Sequence, residues 1–257
     1  MCLITFAYKV HPEYRLILAS NRDEFYSRPT RKAQHWFQEG FPNLIAGKDL
    51  EAGGTWMGVT ENARWAALTN YRDPKWQVLD PPSRGQIVLN YLKKSGSSIE
   101  FIKELDLDAS HYAGFNVLIA DSKELYHYSN YNQIATLIKP GIHGVSNALL
   151  DTPWPKLDKA KSDLEQVISR KGPIKKEEIF DILANPTQAS DNDLPETGIP
   201  YEWEKAVSSI FIKTETYGTR CSTVLLIKNN GEVELTERRF TPDSDEFLEE
   251  NTYSLQS

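Results

Sequence analysis

The chain has 257 residues, 40% of them hydrophobic and 25% charged, which is enough apolar mass for one large or two small folded units and argues against global disorder. Lysine and arginine total 29 against 36 aspartates and glutamates; the resulting charge of −7 repels nucleic acid and anionic membranes and favours small-molecule or protein partners. Two cysteines, Cys2 and Cys221, exclude a disulfide framework and a four-cysteine zinc site, and leave at most one bridge.

Lys9, Glu13 and Arg15 cut the apolar N-terminal stretch short of signal-peptide or membrane-span length, so a cytoplasmic protein without stable membrane insertion is expected. Residues 2–8 and 14–20 are two apolar, β-branched runs joined by His11-Pro12-Glu13, the pattern of a strand, a turn and a returning strand. A polar, arginine-rich loop is expected over residues 25–38. Strands follow around Leu44, over 55–60 and over 64–69, the last two joined by a tight Glu61-Asn62-Ala63 turn, and all are expected to join one antiparallel sheet.

Helical spacing of apolar residues predicts short helices over 84–94 and 98–105. Strand character over 114–120, 124–129, 133–138 and 143–146, with a turn at Asp121-Ser122-Lys123, predicts a second antiparallel sheet. Leu157, Ala160, Leu164 and Val167 predict a helix over 154–170, and another is expected over 175–183 after the Lys171-Gly172-Pro173 break. Residues 185–204 carry Pro186, Pro195 and Pro200 and read as a long surface or lid loop. Strands are expected over 208–212, 222–227 and 232–238, with Asn229-Asn230-Gly231 as a hairpin turn, and the acidic tail after Thr241 is expected to fray. With no linker or repeat, the reading is one α+β domain over residues 1–257, two antiparallel sheets with helices on their outer faces; two halves meeting near Asp151 are the alternative.

Cys2 stands out because removal of Met1 leaves a thiol and a free α-amine on one residue. An α-amine titrates near ~7.7–8.0 and a thiol near ~8.5, so the amine can take the thiol proton without a histidine. The other reading is a small buried residue starting a strand. Polar clusters recur where strands should end or begin: Asn21-Arg22-Asp23-Glu24, Thr69-Asn70-Tyr71-Arg72, Ser146-Asn147 and Gly218-Thr219-Arg220-Cys221. Asparagine can donate to an oxyanion, arginine can orient a carboxylate and aspartate can hold an ammonium; each is also a common cap or turn residue.

Gly53-Gly54 is not followed by the Lys-Ser or Lys-Thr of a phosphate loop and reads as a close-packed turn. The five histidines show no metal-ligand spacing, so no metal is expected, although His143 beside Asn147 can line a pocket. The tryptophans read as core or loop anchors, with Trp203 placed to cover an apolar ligand. Tyr71-Arg72-Asp73 reads as an ion-pair turn or as pocket lining.

Those clusters together with Gly53-Gly54-Thr55-Trp56, Ser83-Arg84-Gly85, the stretch GIHGVSNALLDTPWPK over residues 141–156 and Tyr217-Gly218-Thr219-Arg220-Cys221-Ser222-Thr223 resemble, in order and over nearly the whole chain, the transport-and-Golgi-organisation-2 or NRDE family. The resemblance implies an N-terminal-nucleophile hydrolase fold, a four-layer αββα sandwich. A more distant similarity to choloylglycine-hydrolase-type enzymes implies roles: Cys2 as nucleophile, Arg22 and Asp23 at the end of the second strand with Glu24 as the alternative acid, Asn70 in the oxyanion hole, Asn147 positioning the nucleophile region, and Arg220 as the late arginine. Tyr71, Arg72, His143 and Trp203 are the candidate substrate-binding residues.

The activity expected is hydrolysis or transfer of a small-molecule amide, ester or thioester without a cofactor. The alternative, implied by roles proposed for relatives, is a non-catalytic carrier of a hydrophobic ligand such as haem or an acyl-CoA or lipid; the chain has no CxxCH motif for covalent haem. The oligomeric state is left open.

Overall fold

Successive side chains of a strand point to opposite faces, and the first two strands are apolar on both. In the computed structural model, which describes residues 2–170, 172–242 and 244–255, Ile4, Phe6 and Tyr8 of β1 (Cys2–Tyr8) and Leu16 and Leu18 of β2 (Tyr14–Phe25) turn toward a second sheet. Leu3, Ala7, Ile17 and Ala19 turn toward helices. Strands buried on both faces read as continuous apolar runs.

The six-stranded sheet has the order β10-β1-β2-β11-β12-β13, with β10 at Gly141–Val145, β11 at Tyr217–Lys228, β12 at Val233–Phe240 and β13 at Phe247–Leu255. The seven-stranded sheet runs in chain order: β3 (Thr30–Trp36), β4 (Phe41–Asp49), β5 (Met57–Thr60), β6 (Trp65–Asn70), β7 (Phe115–Ala120), β8 (Leu125–Ser129) and β9 (Ile134–Leu137). Every strand pairing in both sheets is antiparallel. Ile45, Val59, Trp65 and Leu118 of the second sheet meet Phe6, Leu18, Leu225 and Leu235 of the first in the inter-sheet core.

Helices α1 (Gly85–Lys93) and α2 (Ser98–Asp108) cover the seven-stranded sheet through Val88, Tyr91, Phe101 and Ile102. A capping box starts α2: Ser97 accepts from the Glu100 N–H, and the Glu100 carboxylate takes the Ser97 N–H. Helices α3 (Pro155–Ile168) and α4 (Lys176–Leu183) cover the six-stranded sheet through Leu157, Ala160, Leu164 and Ile179. The layers are therefore α, β, β, α, the expected sandwich. Among the described residues, no helix is long and apolar enough to cross a membrane.

Several local expectations are corrected. The first two strands do not share a sheet with residues 30–70; they join the C-terminal strands instead, since a buried strand carries no mark of which partner it will take. The expected 25–38 loop contains β3, whose polar composition suits an edge strand that turns only Ala33 and Trp36 inward. Residues 201–206 of the expected long loop form α5 (Tyr201–Ala206), entered through Pro200. Residues 208–212 are not a strand: the Ile210 carbonyl accepts from the Asn21 side chain and the Phe211 N–H donates to Asn185, so no sheet ladder forms there. The acidic tail does not fray, because it forms β13, where Glu249 and Glu250 meet Arg239 and Arg238 across the strand pair. Met1 and Lys171, which the nucleophile and helix-break readings use, lie outside the described residues.

Candidate active site

Cys2 continues the inward-facing series of β1 and lies opposite Arg22 of β2, which in turn lies opposite Cys221 of β11. A bulge between Thr219 and Cys221 takes Arg220 out of the ladder at that level. Both cysteines are free thiols, Cys2 partly accessible and Cys221 buried, so the possible bridge between them is not formed.

Cys2, Arg22, Asp23, Glu24, Asn70 and Arg84 contribute to the wall of one cavity of about 440 Å³, a size suited to a small molecule. Burial pushes the Cys2 thiol up and the charge of Asp23 adds to this, while a hydrogen bond from the Asp23 backbone and the Arg22 guanidinium oppose it. A thiol in this setting needs a base to become a nucleophile.

Asp23 is 1% exposed. One carboxylate oxygen accepts from Thr219 Oγ1 at 2.8 Å, and its carbonyl accepts from the Tyr217 hydroxyl at 2.9 Å. Burial raises its carboxyl above the usual range, against the opposing pull of Lys156, Thr219 and Arg22. Lys156, fully enclosed at the start of α3, donates to the Val207 carbonyl at 2.9 Å; burial lowers its ammonium to about 8 despite the nearby Asp23. Glu24 is half-exposed and accepts from the Phe25 N–H. Of the two acids at this strand end, Asp23 is therefore the enclosed one held beside the sulfur. Arg22 lies over the Trp56 ring at 4.2 Å and donates to Thr30 Oγ1. The Trp56 ring in turn fills the space a Cβ at Gly47 would need, 2.1 Å away.

Asn70 ends β6, and its carbonyl accepts from Asn147 Nδ2 at 2.9 Å. Its own side-chain amide makes no hydrogen bond among the described residues and is left to the cavity. Asn147 is fully buried, and Ser146 Oγ beside it donates to the Cys2 carbonyl at 3.0 Å. The 146–147 turn thus links the backbone of the cysteine to that of the asparagine. Behind it, Asn116 Nδ2 donates to Thr69 Oγ1 and the Ala148 carbonyl, leaving Asn116 Oδ1 to face His127 Nε2 at 3.1 Å.

The remaining predicted residues lie off the cavity wall. Arg220 donates to the Phe25 and Arg28 carbonyls and braces the turn after β2. Tyr71 stacks on Tyr131 at 4.0 Å. Arg72 forms a buried ion pair with Glu204 of α5. Trp203 packs edge-on against Tyr217, behind Asp23. His143 pairs with Phe6, roughly 13 Å along β1 from Cys2, and is held by Asp151 and the Lys139 carbonyl.

Sequence reasoning gave no role to Arg84, Lys156, Thr219 or Tyr217. The signal for Arg84 was present in two glycine motifs. A Cβ on Gly54 would stand 2.5 Å from the Gly85 carbonyl carbon, and Thr55 N donates to Gly85 O, so the two loops meet backbone to backbone and set Arg84 at the cavity.

Residues 1–242 match the family model described as Transport and Golgi organisation 2. The Transport and Golgi organization 2 homolog of Mus musculus is 33% identical over 99% of both chains, and the Homo sapiens homolog 32% identical over the same shares. The Drosophila melanogaster Transport and Golgi organization protein 2 is 28% identical over 94% of this chain and 93% of its own. Among solved structures, a Caenorhabditis elegans N-acylethanolamine-hydrolyzing acid amidase ortholog matches with TM-score 0.44 and 11% identity, over 88% of this chain and 92% of its own. A mutant conjugated bile acid hydrolase of Clostridium perfringens matches with TM-score 0.43 and 11% identity, over 98% and 96%.

Proposed function

This chain belongs to the Transport and Golgi organisation 2 family, and from the site that it builds we propose that it is an N-terminal cysteine hydrolase of a small-molecule amide, ester or thioester. The observation that carries the reading is the sharing of one cavity by Cys2, Arg22, Asp23 and Asn70, with a turn behind it that ties the backbones of Cys2 and Asn70 together.

In this reading Met1 is removed. The α-amine of Cys2 takes the thiol proton, and the sulfur bonds to the substrate carbonyl carbon. The negative charge that develops on the carbonyl oxygen is met by the Asn70 amide. The intermediate collapses, the bond to the leaving nitrogen, oxygen or sulfur breaks, and the ammonium returns its proton to that atom. Water then adds to the thioester with the amine as base, the carbon–sulfur bond breaks, and the acid leaves as the thiol re-forms. Asp23 and Arg22 set the charge around amine and sulfur. Asn147 and Ser146 hold the two halves in register. Two free thiols suit a cytoplasmic setting.

The carrier reading has less support, since three arginines, three carboxylates and Asn70 interrupt the apolar wall that Trp56, Leu68, Pro81 and Pro82 supply, and no histidine lines it among the described residues. Protein beginning at Cys2, mixed with p-nitrophenyl esters and acyl thioesters, is expected to gain the mass of one acyl group on Cys2 and to release it; Cys2→Ala gains none. No acylation across the panel contradicts the proposal.

A further inference from the structure

The cavity wall carries three arginines and three carboxylates, yet their charges are not matched evenly. Arg28 is held by both Asp49 and Glu51. Asp23 accepts from Thr219, and Glu24 accepts from the Phe25 N–H. Arg84 has no ion pair among the described residues. Among the described residues its guanidinium makes one hydrogen bond, from Nη1 to the Gly114 carbonyl at 2.9 Å, a neutral acceptor. A partly buried guanidinium without an ion-pair partner is costly to hold, and it persists only where the surroundings fix it. Here the Gly54–Gly85 backbone contact does so.

We infer that the acyl compound handled by Cys2 carries a second, anionic group, a carboxylate or a phosphate, and that Arg84 clasps it on the cavity wall. The inference rests on the reading of Cys2 as nucleophile and adds the class of substrate to it. Arginine presents a fork of N–H donors that matches the paired oxygens of either anion. Burial holds the Arg84 guanidinium below its ordinary range, with Glu24 and the ionised form of Cys2 opposing, and an arriving anion supplies the direct ion-pair partner that neither provides.

Iodoacetate and iodoacetamide separate this claim from the hydrolase reading, because they alkylate the same thiol and differ by a charge. In protein beginning at Cys2, with labelling located by peptide mapping, the iodoacetate-to-iodoacetamide rate ratio is expected to exceed that of a free cysteine peptide by about tenfold. The excess disappears in Arg84→Gln and survives in part in Arg84→Lys. Glutarate or inorganic phosphate slows the iodoacetate reaction, and the one that does so identifies the anion. A wild-type ratio equal to the peptide's, a ratio unchanged in Arg84→Gln, or protection by neither anion overturns the inference. Acylation by the ester and thioester panel is read separately: acylation without anion preference refutes the Arg84 clasp alone, and anion preference without acylation by any member of the panel refutes the hydrolase.

Discussion

His127 gives a quantitative handle on the structure behind Asn70. It is 3% exposed, and burial lowers its imidazole to about 4 from the ordinary 6.5, with distant Asp151 opposing. Asn116 turns its Nδ2 to Thr69 and Ala148, so its oxygen faces the ring and His127 must be the neutral tautomer with the proton on Nε2. The unfolded chain takes up a proton as pH falls through 6.5 while the folded chain resists until about 4, so stability is complete above 6.5 and is lost below it. Between about pH 8 and about pH 5 this one group removes about 2 kcal/mol. Urea unfolding of wild type and His127→Gln at the two pH values isolates it: glutamine can keep the bond to Asn116 but does not titrate, and the wild type is expected to lose about 2 kcal/mol more than the variant on acidification. Equal losses refute the assignment of a buried neutral imidazole.

Glu204→Ala strands a buried arginine and is expected to cost about 3–5 kcal/mol in urea unfolding. Replacing Arg72 and Glu204 together by methionine and leucine recovers most of it; a single-variant cost below about 1 kcal/mol contradicts a structural role for this pair. Asn70→Ala is expected to lower kcat about 10²–10³-fold with little change in KM, read with whichever ester acylates Cys2, and a change confined to KM excludes the oxyanion role. Gly54→Ala forces the Gly85 backbone away and is expected to cost about 1–3 kcal/mol in thermal unfolding; a neutral effect disproves the close contact.

Layer architecture was legible because the continuous apolar runs of β1 and β2 and the helical spacing in α1 to α4 each report burial directly. Partner choice was not: nothing in residues 2–20 says that they pair with residues 141–145 and 217–228. β3 escaped notice because an edge strand needs few apolar residues, and β13 because its acids answer cations on other strands. At the site, Cys2, Arg22, Asp23 and Asn70 end strands that converge, and a strand end is visible in sequence as an apolar run stopping at a polar cluster. Tyr71 and Arg72 belong to the same kind of cluster but face Tyr131 and Glu204, which are far away in the chain, while Trp203 of α5 packs on Tyr217. Arg84 and Lys156 enter from helix starts, where a charged residue looks like an ordinary solvated end until the fold encloses it.

The central claim is that one residue supplies both the sulfur and its base, and the N-terminal methionine tests it most directly. Two preparations, one beginning at Cys2 and one retaining Met1, are separated by intact mass and given the same activated ester. The account predicts acylation of Cys2 at least about a hundredfold faster in the first, since only there does the thiol share its residue with a free α-amine, near ~7.7–8.0, placed to deprotonate it. Equal rates in the two preparations contradict it.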